Sequence, residues 1–360
     1  MYKQKPCIQK NRIRDLIDRL ELEKNLSDGE FLELLKDQDQ ANQTYLEARA
    51  GRIRDEIYGR RVYLRGLIEI SNICGKNCNY CGIRAGNSQV ERYRLSEKEI
   101  LEAVDQGASR GFSTFVLQGG EDPYFTEEKI LYLVREIKKK YPDKALTLSL
   151  GVLEEDLIER LRDEGLDRYL LRHEAASEEL FSKLHPLDQS LEKRKANLYR
   201  FKSLGIQTGS GFMVGAPGQD DQDLLEDLRF LQKLRPEMIG IGPFIAHKES
   251  IYKDHPSGDA IKTIKLLAIL RLMFPGCLLP ATTSLATKDE KSRFRAIRAG
   301  ANVIMPNLTP QKHRKKYDLY DNKLSSGQEA MEYIDSLKDS LLQIGYEIDM
   351  SRGDSKLKEK

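Results

Sequence analysis

Between residues 62 and 305 short apolar runs alternate with amphipathic stretches, and this rhythm narrows the fold more than any other feature of the chain. Runs at 62–70, 114–118, 145–150, 168–171, 206–214, 238–244, 277–283 and 302–305 read as eight strands. The stretches between them carry helical periodicity, and Ser96 followed by Glu99 is a capping box that opens one of these helices. Alternating strand and helix implies a parallel sheet. Eight such units over roughly 250 residues match a complete (β/α)8 TIM barrel; an open doubly wound sheet is the runner-up. The Ile- and Leu-rich helix at 260–273 reads as a core-packing element. Residues 1–60 show only helical spacing, with Ser27 and Glu30 as a second capping box, and form an N-terminal helical extension. The barrel is expected over 61–320, and 321–360 as a polar helical tail whose charged end, Lys356 to Lys360, frays.

The formal net charge is only +2, so no global field favours nucleic acid or an anionic membrane. No apolar run is long enough to span a bilayer. Residues 1–14 are polar and basic, with no apolar segment of a secretory signal. Five cysteines, an odd number with three of them in one loop, do not make a disulfide framework. These features suit a reduced cytoplasmic protein, with Cys7 and Cys277 standing alone.

The three clustered cysteines are Cys74, Cys78 and Cys81, a C-x3-C-x2-C loop directly after the first strand run. Thiolates this close grip a soft metal centre. An iron–sulfur cube takes four cysteines when fully ligated by protein, so three leave one iron open to a small molecule. A structural zinc site is the alternative; it needs a fourth ligand, and no second cysteine pair follows in the sequence.

Active groups of a barrel sit at the C-terminal ends of its strands, and here those ends are polar. The second carries Gln118, Gly119, Gly120, Glu121 and Asp122, the third Thr147 and Ser149, the fourth Arg172, His173 and Glu174. The fifth runs through Gly209, Ser210, Gly211 and Met213, the seventh ends in Thr282 and Thr283, the eighth in Asn307. Gly119-Gly120 alone is equally well a turn. The glycines around Ser210 lack the Lys-Ser/Thr of a P-loop, which argues against nucleoside triphosphate binding. Arg172 and Glu174 share a strand face and can form a salt bridge, whereas His173 points the other way and reads as structural. The basic run from Lys312 to Lys316 reads as a solvated face.

With Tyr80 just before the last cysteine, the loop resembles the signature of radical S-adenosylmethionine enzymes. The segments Ile68-Glu69-Ile70-Ser71-Asn72, Leu117 to Tyr124, Tyr169 to Glu174, Ile239 to Ile245 and Gly300 to Asn307 are similar to those of the [FeFe]-hydrogenase maturase HydE family. The likeness spans about residues 50–320, and biotin synthase and methylornithine synthase are relatives with the same barrel. It implies that Cys74, Cys78 and Cys81 hold a [4Fe–4S] cluster and that S-adenosylmethionine binds the open iron. It further implies reductive cleavage of that cofactor to a 5′-deoxyadenosyl radical.

The same resemblance places Gly119, Gly120 and Glu121 by the methionine amine, Arg194 on its carboxylate and Glu174 on the ribose hydroxyls. Tyr80 and Met213 would flank adenine, with Thr147 and Ser149 on the same wall. Arg65, Gln118, Arg172, Thr282 and Thr283 would form the substrate end, suited to a small anionic molecule or iron complex. Implied partners are an electron donor such as ferredoxin or flavodoxin and other hydrogenase maturases, with neither nucleic acid nor membrane. Some family members carry extra C-terminal cysteines for a second cluster; the stretch from Asp318 to Glu332 has none here, so a single cluster is expected. Biotin synthase needs further barrel cysteines, and only Cys277 is present. Methylornithine synthase, which needs one cluster, is the better alternative.

Overall fold

The computed structural model describes residues 5–323 and 330–357, with side chains at 12–323 and 333–357. Its strands are β1 (Arg61–Leu64), β2 (Gly66–Ser71), β3 (Thr114–Gly119), β4 (Ala145–Ser149), β5 (Arg168–Leu170), β6 (Gln207–Ser210), β7 (Met213–Val214), β8 (Met238–Ile239), β9 (Gly242–Pro243), β10 (Val303–Ile304) and β11 (Glu347–Asp349). Every residue of β2 is buried, as a parallel strand covered on both faces requires. The order β2-β3-β4-β5-β6-β8 makes a six-stranded parallel sheet in chain order. Register sets Glu69 beside Gln118 and Gln118 beside Ser149, which aligns the polar strand ends in one layer. Beyond β8, single parallel bridges join Met238 to Leu278 and Pro280 to Val303, and β10 pairs with β1.

Several strands are shorter than their apolar runs. The first is interrupted at Arg65, whose side chain turns inward among buried groups. The run at 206–214 divides at Gly211, where a Cβ would lie 2.0 Å from the Gly240 carbonyl oxygen, so the two chains pass too closely for any side chain. The run at 277–283 keeps only bridges, because a short helix, Thr283–Lys288, begins at its end.

The helices form for the expected local reasons. At Ser96 both the backbone N–H and the hydroxyl donate to Glu99 (2.9 Å each), which pulls the Glu99 carboxyl down to about 2 with help from Lys312. Ala260–Met273 is buried from Thr263 onward, the pattern of a helix covered on all sides. Against it packs Gln40–Tyr58, the third of three N-terminal helices. Buried Arg54 ties that helix down, donating to the Ile297 carbonyl at 2.9 Å and lying over the Tyr346 ring. One apolar core therefore runs from Ile13 to Tyr346.

Two expectations need correction. The tail is not simply helical: after the helix Ala330–Gln343 it adds β11 to the edge of β1 and then crosses the N-terminal end of the sheet. There Arg168 donates to the Arg352 carbonyl and the Asp354 carboxylate, and the Lys356 N–H donates to the Gly276 carbonyl. Lys356 is thus held rather than frayed; residues 358–360 lie outside the described residues. The basic run is a solvated face only in part, with Lys312 and Lys315 exposed. Arg314 is buried and donates to the Thr309 carbonyl, and His313 stacks on Tyr93 at 4.6 Å. Among the described residues no helix is long and apolar enough to cross a membrane.

Candidate active site

The cysteine loop leaves the end of β2 and is held by backbone carbonyls. Arg92 donates to the carbonyls of Asn72, Ile83, Arg84 and Asn87, so one guanidinium fastens both ends of the loop. All three thiols are free. The N–H groups of Lys76 and Glu121 each approach the Cys74 sulfur at 3.4 Å, and the Gln189 amide approaches that of Cys78 at 3.1 Å. Burial pushes the Cys78 thiol up to about 11, and raises Cys74 and Cys81 as well. Three thiols with N–H donors aimed at two of their sulfurs fit thiolates that a metal centre has deprotonated. Among the described residues no three His, Cys, Asp or Glu side chains converge on one ion; in an iron–sulfur cube each cysteine takes its own iron, so convergence is not what that group requires. Cys277 is buried in the core with its sulfur against the Pro236 carbonyl, and the Cys7 side chain lies outside the described residues.

The end of β3 folds directly onto this loop. A Cβ on Gly120 would lie 2.3 Å from the Ile73 carbonyl oxygen and 2.7 Å from the Cys74 Cβ. Glycine is therefore dictated by close approach, beyond the needs of a turn. The Gly75 N–H donates to the Glu121 carbonyl at 2.8 Å, and the Glu121 side chain lies over Gly151, where a Cβ would be 2.3 Å from its carboxyl group. Asp122 locks the segment in place, accepting from Ser71 at 2.6 Å and from Arg94 at 2.6 and 2.7 Å.

Beside it stand Arg172, Glu174 and Arg194. Glu174 adopts φ 67°, a left-handed conformation rare for a side chain of this size. Its carboxylate is 3.2 Å from Arg172 without a well-aligned hydrogen bond, so Glu174 Oε2 and Arg172 Nη2 are buried without a hydrogen-bond partner. Groups like these are costly to leave buried, and they offer an acceptor and a donor to a polar ligand. Arg194 donates to the Arg172 carbonyl at 3.0 Å and to Gln189 at 3.4 Å, which links it to the Cys78 side of the loop. His173 faces away, fully buried between Ser210 (2.9 Å) and Asp227 (3.1 Å), the structural position its strand alternation indicated.

Tyr80 and Met213 share one apolar cluster with Phe181, Leu184 and Phe244. His185 stacks on Phe181 at 3.9 Å and reaches the Tyr80 hydroxyl at 3.4 Å. Burial, then the charge of Arg194, lowers His185 to about 3. The folded protein thus holds His185 neutral, while the unfolded chain takes up a proton as pH falls below about 6.5. Stability is lost as pH drops from about 6.5 toward 3, by up to about 1.4 kcal/mol per pH unit from this group. Denaturant midpoints at pH 7 and pH 5 are expected to fall less for His185→Phe than for the unaltered protein.

The residues expected at the substrate end are not all in one place. Gln118 donates to the Tyr317 hydroxyl at 3.4 Å, Thr282 contacts Ser284, and Thr283 lines a cavity of about 380 Å³ with Glu69, Asn307 and Lys323. Arg65 instead lies before β2, at the end of the strand opposite the cysteines, donating to the Gly353 carbonyl and contacting the Met238 sulfur. Thr147 borders that same deep region with Arg65 and Arg168, and its hydroxyl has no hydrogen-bond partner. Ser149 sits two residues nearer the cysteine end of β4.

Other site residues had no signal in the sequence. Lys323 pairs with buried Glu69, which also accepts from Asn307 at 2.9 Å. Tyr317, raised by burial, lies near Glu69, Cys74 and Cys81, and Tyr320 lies near Glu69 and Arg172. They come from the segment after the barrel strands, and only the tertiary fold carries them to the site.

A match to the radical SAM superfamily covers residues 68–231. The chain is 42% identical over 311 residues to the [FeFe] hydrogenase maturase subunit HydE of Thermotoga maritima, covering 86% of this chain and 88% of that one. It is 30% identical over 304 residues to 3-methylornithine synthase of Methanosarcina acetivorans, covering 83% and 84%. Among solved structures, methylornithine synthase (PylB) matches with a TM-score of 0.81 at 26% identity, over 93% of this chain and 97% of that one. The maturase HydG shares the fold, with a TM-score of 0.79 at 21% identity over 95% and 76%.

Proposed function

This chain belongs to the radical SAM superfamily, in the family of the [FeFe] hydrogenase maturase HydE, and from that premise we propose how its site works in assembly of a hydrogenase di-iron cofactor. Its cofactors are a [4Fe–4S] cluster and S-adenosylmethionine. When bound, they supply one-electron cleavage of the sulfonium C–S bond, giving methionine and a 5′-deoxyadenosyl radical. The rest is the work of side chains. Cys74, Cys78 and Cys81 each hold an iron, and the N–H donors of Lys76, Glu121 and Gln189 soften the charge on sulfur. Gly119, Gly120 and Glu121 take the methionine amine, and Arg194 its carboxylate. Glu174 accepts the ribose hydroxyls through its unpartnered oxygen. Tyr80 and Met213 enclose the adenine, with Ser149 along the wall below; Thr147, in the deep region with Arg65 and Arg168, is left out of this group.

The substrate is a small molecule or iron complex, met by Arg172, Gln118, Thr282 and Thr283; Arg65 lies too far down the strand to join them, and we leave it out of this group. Other hydrogenase maturases would receive the product. The observation that carries the reading is the pair of unpartnered buried atoms on Arg172 and Glu174 beside three free thiols. Its test is in vitro maturation of an apo-hydrogenase with this protein as the only HydE-type component. Arg172→Ala is expected to lower maturation by about tenfold or more, and more than it lowers cofactor cleavage. Equal loss of both would move Arg172 to the cofactor half.

The parallel sheet is further read as a complete (β/α)8 barrel, with the 277–283 run as its seventh strand; the Met238–Leu278 and Pro280–Val303 bridges and the β10–β1 pairing support this. Residues 61–320 would form that barrel, flanked by 1–60 and 321–360. A cytoplasmic location suits an oxygen-sensitive cluster held by free thiols.

A further inference from the structure

Behind Arg172 and Glu174 lies a buried polar network in an otherwise apolar pocket. His173, Ser210 and Asp227 are all fully buried. Phe212 and Phe230 flank the His173 ring, with centroids 5.8 and 4.8 Å away. The Ser210 hydroxyl donates to the Leu171 carbonyl at 3.1 Å, which leaves its oxygen to accept from His173 Nδ1 at 2.9 Å. Across the ring, His173 Nε2 meets Asp227 Oδ1 at 3.1 Å. The same oxygen accepts from the Ala176 N–H at 2.7 Å. Burial pushes Asp227 well above the usual carboxylate range and His173 down to about 3, so one proton lies between them and the pair carries no net charge.

One carboxyl oxygen thus holds the chain at residues 173 and 176, and Glu174 lies between those two points. At Glu174 the chain leaves the sheet with φ 67°, a conformation that a side chain of this size keeps only where its surroundings enforce it. The Glu174 backbone itself is held more loosely. Its N–H donates to the Gly211 carbonyl at 3.1 Å, and its carbonyl accepts from the Met213 N–H at 3.4 Å. Arg194 and Lys195 add one bond each, to the Arg172 and Ala176 carbonyls. The second oxygen of Asp227, Oδ2, is buried without a hydrogen-bond partner. For stability alone, an apolar side chain would fill this pocket at lower cost. Directional bonds instead select one arrangement of the bend.

Resting on the assignment of Glu174 to the ribose of S-adenosylmethionine, we propose that Asp227 is a positioning residue for that cofactor. Through the His173 ring and the Ala176 N–H it keeps Glu174 in its left-handed turn, so that the unpartnered atoms of Glu174 and Arg172 face the ligand. Asp227 touches neither cofactor nor substrate. It belongs to the helix Asp221–Leu234, which packs behind the strand end. Ser210 steadies the other edge of the same ring. Loosening this network therefore costs cofactor affinity and leaves the cysteine loop in place.

The test follows KM for S-adenosylmethionine in dithionite-driven formation of 5′-deoxyadenosine by reconstituted holoenzyme. Asp227→Leu, close in size and without either bond, is expected to raise KM about tenfold or more, with kcat within about threefold of normal and iron content unchanged. Asp227→Asn still offers one oxygen to both partners once the imidazole proton moves to Nε2, and is expected to keep KM within about threefold of normal. Ser210→Ala, a smaller change to the core, is expected to raise KM about fivefold. On a Glu174→Ala background, neither Asp227→Leu nor Ser210→Ala is expected to raise KM further by more than about twofold. Should Asp227→Leu fail to fold, Ser210→Ala decides by the same comparison. Unchanged KM in the variants that fold overturns the proposal. So does a full further rise on the Glu174→Ala background, because the network would then not act through Glu174. If Glu174→Ala alone leaves KM unchanged, the ribose assignment fails instead. A crystal structure of the Asp227→Leu or Ser210→Ala protein then decides the positioning claim, which stands if Glu174 has left the left-handed region and falls if its φ stays at 67°.

Discussion

Cys78→Ser protein, reconstituted anaerobically with iron and sulfide, is expected to hold less than about a tenth of the normal cluster and to form no measurable 5′-deoxyadenosine. Three protein ligands leave one of four irons open and none to spare, and a serine oxygen is a poor substitute for thiolate at a soft centre. Cys78 is also the ligand whose sulfur meets Gln189, so its loss frees both the loop and the Arg194 contact that Gln189 supports. Iron content and the visible absorption of the cluster give the readout. Normal iron together with normal cofactor cleavage in this variant would contradict the site assignment. Cys277→Ser serves as the control, since that thiol lies in the core against Pro236.

Gly120→Ala is expected to lower cofactor cleavage by about a hundredfold while the protein stays folded. Its added Cβ would meet the Ile73 carbonyl oxygen at 2.3 Å and the Cys74 Cβ at 2.7 Å, both on the cysteine loop. No flexible side-chain end can swing aside, so the loop must shift and carry Cys74 with it. Overpacking of this kind costs about 1–3 kcal/mol, a fall in Tm of about 1–4 °C for a chain of this size. Gly29→Ala is the matched control. It lies in the helix Asp28–Lys36 with nothing within 4 Å, and it is expected to leave the cluster unchanged. A Gly120→Ala protein with full iron and full cleavage would show that the loop tolerates the displacement.

The general order of elements was readable because each apolar run is followed by a helix with its own start signal, as at Ser96 and Ser177. The seventh strand was overestimated: the run at 277–283 is apolar because it is buried, yet only Leu278 and Pro280 bridge to neighbours. The tail was misread because its charges suggest solvent, whereas Asp354 is matched to Arg168 and Gln207 on the far end of the sheet. Periodicity has no means of signalling such a pairing.

The site followed the same division. Three cysteines within eight residues announce themselves, and the β3 turn could be placed by its glycines. The pairing of Arg172 with Glu174 was visible in strand alternation, but the left-handed turn at Glu174 was not. Gln189, Tyr317, Tyr320 and Lys323 belong to polar connecting segments whose local sequence resembles any solvated loop. They reach the site through contacts across long stretches of chain, as between Gln189 and Cys78, 111 residues apart. Arg65 shows the opposite error, a side chain assigned to the substrate end that the strand direction carries to the other one.

The most direct test is to reconstitute the unaltered protein without oxygen, reduce it with dithionite in the presence of S-adenosylmethionine, and measure iron and 5′-deoxyadenosine together. The expected result is a coloured protein with about four irons per chain that forms 5′-deoxyadenosine. A colourless protein holding a single zinc and forming none would contradict it.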